Sequence, residues 1–134
     1  LSAPVSISKV RVRYAETDQM GIVYYANYLV WFEVGRTDLL RERGWSYREM
    51  EGDGLSLPVV EAACAYRRPA LYDDELDVRT TGVLLSPVRV RFDYQVVRPS
   101  DGATVAQGHT VHASLDRNGR PARLPARARQ VFEA

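Results

Sequence analysis

Cysteine is almost missing from this chain of 134 residues: Cys64 stands alone, which excludes an internal disulfide framework. Histidine is nearly as scarce. His109 and His112, with that one thiol, make no Cys/His cluster of zinc spacing, so no metal is expected. No apolar run approaches the roughly 18 to 20 residues that cross a bilayer. Residues 1–9 also lack a charged flank followed by an apolar stretch, which together reads as a cytoplasmic protein with no membrane span. Excess charge of one sign is lacking too, since eighteen Lys and Arg face seventeen Asp and Glu. A protein whose main partner is nucleic acid carries more than that, so none is expected. With no repeat, low-complexity tract or linker, residues 1–134 read as one domain, and 46% hydrophobic residues suffice for one core.

The order of periodicities gives the fold class. Val5 to Tyr14 alternates with period two, placing Val5, Ile7, Lys9, Arg11 and Arg13 on one side and Ser6, Ser8, Val10, Val12 and Tyr14 on the other. From Asn27 to Arg43 the period becomes helical, with Tyr28, Trp31, Phe32, Gly35 and Leu39 on one stripe and Leu29, Val30 and Val34 widening it. The first half of that helix is apolar nearly all round and must be covered on most sides. Gly44 is placed to end it, and Ser46 to Glu49 has the S-x-x-E capping pattern of a short second helix. Everything after Leu57 reads as strand: 57–68, 75–85, 88–98 and 103–116, separated by turn residues. Strand, long helix and consecutive strands predict an α+β domain, an antiparallel sheet wrapped round a central apolar helix.

The densest stretch lies between the first strand and the helix, from Tyr14 to Tyr28. Its carboxylates, Glu16 and Asp18, precede a helix start, where unpaired backbone N–H groups can polarise a carbonyl. A carboxylate beside such donors can act as base or nucleophile on an ester-like carbon, with the donors as oxyanion hole. The same spacing is equally met by carboxylates that only stabilise a loop and a helix end, and spacing does not choose between them.

The run Arg13-Tyr14-Ala15-Glu16-Thr17-Asp18-Gln19-Met20-Gly21-Ile22-Val23-Tyr24-Tyr25-Ala26-Asn27-Tyr28, followed by Phe32-Glu33 and Arg36, resembles the signature of hotdog-fold acyl-CoA thioesterases of the 4-hydroxybenzoyl-CoA thioesterase and YbgC type. Leu57 to Val60, Tyr66 to Leu71, Asp73-Asp74 and Ser86 to Phe92 extend the likeness along the chain. The resemblance implies a hotdog fold and hydrolysis of an acyl-CoA to a carboxylic acid and free coenzyme A, which is part of the substrate, so no separate cofactor is expected. It implies Asp18 as nucleophile or general base and the backbone N–H groups of Tyr24 and Tyr25 as donors to the thioester oxygen. Gly21, Ile22 and Val23 would lie against the substrate, with Gly21 allowing close backbone approach. Many members carry histidine where this chain has Tyr25, so no imidazole role transfers. Glu16 remains a loop residue.

Arg89 and Arg91, two apart on one strand face, suit the phosphates of coenzyme A, although a solvated strand face would look the same; Arg67 and Arg68 show the feature more weakly. Glu33 and Arg36 have the spacing of a helical ion pair, and Cys64 reads as a small buried residue. His109 and His112 point to opposite strand faces and do not form a metal pair. A hydratase is disfavoured because no histidine lies near the helix start, whereas a non-catalytic acyl-CoA-binding module remains the alternative. Exposed strand edges imply a homo-oligomer, with a tetramer of two dimers favoured over a dimer.

Overall fold

The computed structural model describes residues 5–133. Five antiparallel strands form one sheet in the order β1-β3-β4-β5-β2: β1 (Val5–Arg11), β2 (Val59–Tyr66), β3 (Glu75–Ser86), β4 (Arg89–Arg98) and β5 (Ala103–Ala113). The helix α1 (Asn27–Glu42) lies across the sheet and packs most closely on β1 and β3. This is the expected α+β hotdog architecture.

Alternation decides the core. Val90, Phe92, Tyr94 and Val96 of β4 are buried beneath α1, which contributes Tyr28, Trp31, Phe32, Gly35 and Leu39 from one stripe. On β1 the face turned to the helix is the one bearing Ser6 and Ser8, while Val5 and Ile7 stand exposed. Ser8 Oγ donates to Asp38 Oδ2 at 2.6 Å and so ties the strand to the helix. Gly44, at φ +92°, ends α1, and Ser46 caps α2 (Tyr47–Gly52) with the reciprocal Glu49 contact expected of its motif.

Several expectations are corrected. β1 stops at Arg11 because Tyr14–Glu16 forms a 3-10 turn, and β2 is four residues shorter than 57–68. The chain after the Asn118-Gly119 turn ends in a helix, α3 (Ala126–Val131), rather than strand. With six residues and two buried side chains it offers too short a period to recognise, yet Phe132 beside it packs against Phe92 at 5.9 Å between rings. Leu29, Val30 and Val34 are 43%, 53% and 36% exposed, so this chain alone does not cover the apolar half of α1. Glu33 and Arg36 do not pair; Arg36 Nε instead donates to Tyr47 Oη at 3.3 Å and Nη1 approaches Tyr94 Oη at 3.5 Å.

Arg36 belongs to a polar chain through the core. Tyr94 Oη lies 2.6 Å from Thr110 Oγ1, which lies 2.8 Å from His112 Nε2, and His112 Nδ1 is 2.8 Å from the Leu57 carbonyl oxygen. Burial pushes the His112 pKa down to about 4, with the Arg36 charge acting in the same direction. The unfolded imidazole takes a proton below about pH 6.5, where the folded one still refuses it. Stability therefore rises with pH between these limits and is lost as pH falls toward 4, by on the order of 3 kcal/mol in total. Urea unfolding at pH 7 and pH 5 is expected to show a lower midpoint at pH 5, and His112→Gln should flatten that difference.

Candidate active site

The segment from Val12 to Tyr28 folds back on itself through backbone bonds that its sequence does not announce. Val12 N–H donates to the Asp74 carbonyl, and the Glu16 carboxylate caps the following turn by accepting from Arg13 N at 2.7 Å. Glu16 is buried and ion-paired with Arg13 at 3.4 Å, so its role is to hold the turn. Thr17 then bridges Val23, and Asp18 to Gly21 make the reversal between them: Asp18 N donates to Ile22 O and Gly21 N to Asp18 O, each at 2.9 Å. Gly21 has φ +80° with open space around it, so the turn's left-handed backbone, rather than close packing, is what requires glycine there.

Asp18 is half-buried on this turn. Its Oδ1 accepts from Met20 N at 2.8 Å, which fixes the carboxylate, while Oδ2 has no hydrogen bond among the described residues. The next residues start the helix. Asn27 N donates to Tyr24 O at 3.0 Å, Tyr28 N to Tyr25 O at 3.3 Å and Leu29 N to Ala26 O at 3.2 Å, leaving the amides ahead of them without helical partners.

Of the two expected amide donors, one is already used. Tyr24 N–H donates to Glu16 O at 2.8 Å, an oxygen that also accepts from Asn27 Nδ2 at 2.8 Å, so it is not free to meet a substrate. Tyr25 N–H is unpaired among the described residues, and so is Ala26 N–H, which sequence reasoning missed although the unpaired first turn of any helix points to it. Val23 is likewise withdrawn: its side chain is in the core and its N–H donates to Ala70 O, leaving Gly21 and Ile22 at the turn.

Tyr66, at the end of β2, comes from far along the chain and no local signal predicts it. Its hydroxyl donates to Tyr25 O at 3.2 Å, and its ring meets those of Tyr28 and Tyr25 edge-on at 5.4 and 6.3 Å. Loss of solvent raises its pKa to about 12, so the phenol stays protonated and remains a donor. Cys64, two residues earlier, is half-buried rather than buried, and desolvation pushes its thiol up, away from nucleophilic character.

Arg89 and Arg91 are not brought to this site. They alternate with the core residues of β4 and so project from the sheet face opposite α1, where Arg91 binds Asp93 at 3.0 Å. His109 shares that outer face, 2.7 Å from Glu61, whereas His112 points into the core, as their spacing requires.

The arrangement combines a fixed carboxylate with one open oxygen and two unpaired amides at a helix start, held in one loop by the Thr17–Val23 and Glu16–Tyr24 contacts. Such a pairing can attack, or activate water against, a carbonyl carbon whose oxygen the amides polarise.

Residues 12–132 match the thioesterase-like superfamily. YneP of Bacillus subtilis (strain 168), provisionally named an acyl-CoA thioesterase, is 40% identical over 113 residues, covering 84% of this chain and 81% of YneP. The acyl-CoA thioester hydrolase YbgC of Escherichia coli O157:H7 is 31% identical over 88 residues, 66% of each chain. A DHNA-CoA thioesterase structure from Staphylococcus aureus superposes with a TM-score of 0.84 at 33% identity, over 90% of this chain and 80% of its own.

Proposed function

Because this chain belongs to the thioesterase-like superfamily, we propose that it hydrolyses acyl-CoA thioesters to a carboxylic acid and free coenzyme A. The observation that carries the reading is the open Oδ2 of Asp18 on the same closed loop as the unpaired Tyr25 and Ala26 amides. Asp18 attacks the thioester carbon or takes a proton from the attacking water, and the two amides meet the charge that develops on the thioester oxygen. Coenzyme A arrives with the substrate and leaves as the thiol, so the reaction needs no other cofactor. We place it in the cytoplasm.

A thiol-release assay over a panel of acyl-CoAs tests the activity, with one equivalent of acid expected per thiol. Tight acyl-CoA binding without release from any substrate would instead make the protein a non-catalytic acyl-CoA-binding module.

The site is completed by a second copy of the chain. β2 is an edge strand exposed over most of its length, and Val59 and Val60 are 46% and 49% exposed. Leu29, Val30 and Val34 of α1 are further apolar side chains left open to water. Pairing of two β2 edges about a two-fold axis satisfies the free backbone groups and covers these side chains, giving a dimer and, by pairing of dimers, a tetramer. Light scattering at micromolar concentration is expected to show no monomer. Val60→Asp, which sets a charge in the proposed interface, should raise the dimer dissociation constant at least about tenfold; a stable wild-type monomer would remove this arrangement.

A further inference from the structure

Arg67 and Arg68 follow Tyr66 directly, and their surroundings set them apart from the other arginines near the site. Both N–H groups donate to one acceptor, Val105 O, at 2.9 and 3.2 Å. Two residues facing one is a β-bulge, and it breaks the alternation that would send consecutive side chains to opposite faces. The segment that follows is clamped to the Asp18 loop: Val23 N donates to Ala70 O at 2.9 Å and Ile22 bridges Leu71. Arg98 Nη1 holds it from the other side through Pro69 O at 3.0 Å. The arginine pair thus lies between Tyr66, whose hydroxyl meets Tyr25 O, and residues 69–71, which these three contacts hold.

The acidic side chains around this segment pair with other arginines. Glu16 is paired with Arg13, Asp73 with Arg11, and both Asp74 and Asp101 with Arg98. Arg67 and Arg68 are exposed, and neither guanidinium has an acidic partner among the described residues. Two unneutralised forks next to the reacting loop favour a ligand with several phosphate oxygens. They stand one and two residues past Tyr66, about 3 and 7 Å along the strand before their side chains begin, a span that an extended pantetheine arm covers.

We propose that Arg67 and Arg68 bind the phosphates of the 3′-phospho-ADP end of coenzyme A, in place of the outer-face Arg89 and Arg91. The inference rests on the acyl-CoA reading above. Binding is measured by calorimetry with free coenzyme A, dephospho-coenzyme A and pantetheine, on wild type and on Arg67→Ala/Arg68→Ala. The double variant is expected to bind coenzyme A about tenfold more weakly, with its pantetheine affinity unchanged and the salt dependence of coenzyme A binding reduced. Loss of the contrast with dephospho-coenzyme A assigns the contact to the 3′-phosphate; a contrast that persists assigns it to the pyrophosphate. In turnover the same variant should raise KM for acyl-CoA while kcat holds, and Arg67→Lys/Arg68→Lys should recover part of the loss. Equal coenzyme A affinity in wild type and variant, or an equal loss with pantetheine, overturns the proposal. Coenzyme A binding without any hydrolysis by wild type would overturn only the thioesterase reading, because calorimetry does not depend on turnover.

Discussion

Asp18→Asn is expected to lower kcat for the best acyl-CoA substrate at least about a hundredfold, the lower end of what a positioned acid or base contributes. The amide is nearly isosteric and keeps an oxygen to accept the Met20 N–H that fixes the side chain, so the turn and the fold should survive. What is lost is charge on Oδ2: an amide is neither a competent base nor a competent nucleophile. KM should change little, since Asp18 makes no contact to the groups assigned to coenzyme A, and the effect should fall on kcat and kcat/KM together. Steady-state kinetics with unfolding curves for both proteins check this. Hydrolysis within a few-fold of wild type would remove Asp18 from the chemistry, and buried, ion-paired Glu16 would be a poor replacement. Single-turnover hydrolysis in heavy-oxygen water then separates the two roles, because label in the enzyme carboxylate requires a covalent anhydride and label only in the product acid indicates a base.

Gly108→Ala is expected to be the most damaging single methyl added to the sheet. Gly108 pairs with Cys64 on one side and Tyr94 on the other. A Cβ there would overlap the Ala63 carbonyl oxygen and lie 2.9 Å from Phe32 Cε2. Phe32 cannot retreat, since its ring stacks on Tyr94 with centroids 4.2 Å apart, and a backbone carbonyl moves only if β2 moves. The cost should reach about 3 kcal/mol, or roughly 10 °C in Tm for a chain of this length. Because β2 carries Tyr66 against Tyr25, activity should fall as well, even below the transition. Phe32→Leu added to Gly108→Ala should recover only part of the loss, as it relieves the ring contact and leaves the carbonyl clash. An unchanged Tm would mean that β2 does not approach so closely.

Much of this was legible from local pattern. Alternation along residues 88–96 named the buried face of β4, the stripe from Tyr28 to Leu39 named the buried face of α1, and Ser46 with Glu49 marked α2. Each is a property of a few adjacent residues, because strand and helix periods are set by the backbone alone. The loop bearing Asp18 was also legible, in its carboxylates ahead of a helix start and in its resemblance to a thioesterase signature.

Which groups of that loop remain free was not legible. The Tyr24 amide is consumed because Glu16 O folds back onto it, and the Tyr25 amide is spared because nothing does. Arg36 turns from its neighbour Glu33 to Tyr47 and to Tyr94, 58 residues away, because the helix face that carries it lies over β4. Arg91 projects from the sheet face opposite α1, where it pairs with Asp93, while Arg67 and Arg68 meet Val105 O together across a bulge. By itself the sequence determined the buried face of β4, the buried stripe of α1 and which loop carries the carboxylate, since these follow from period and composition. Only the tertiary structure decided which donors, cations and apolar side chains are left without partners, since having a partner depends on residues that meet through the sheet and not along the chain.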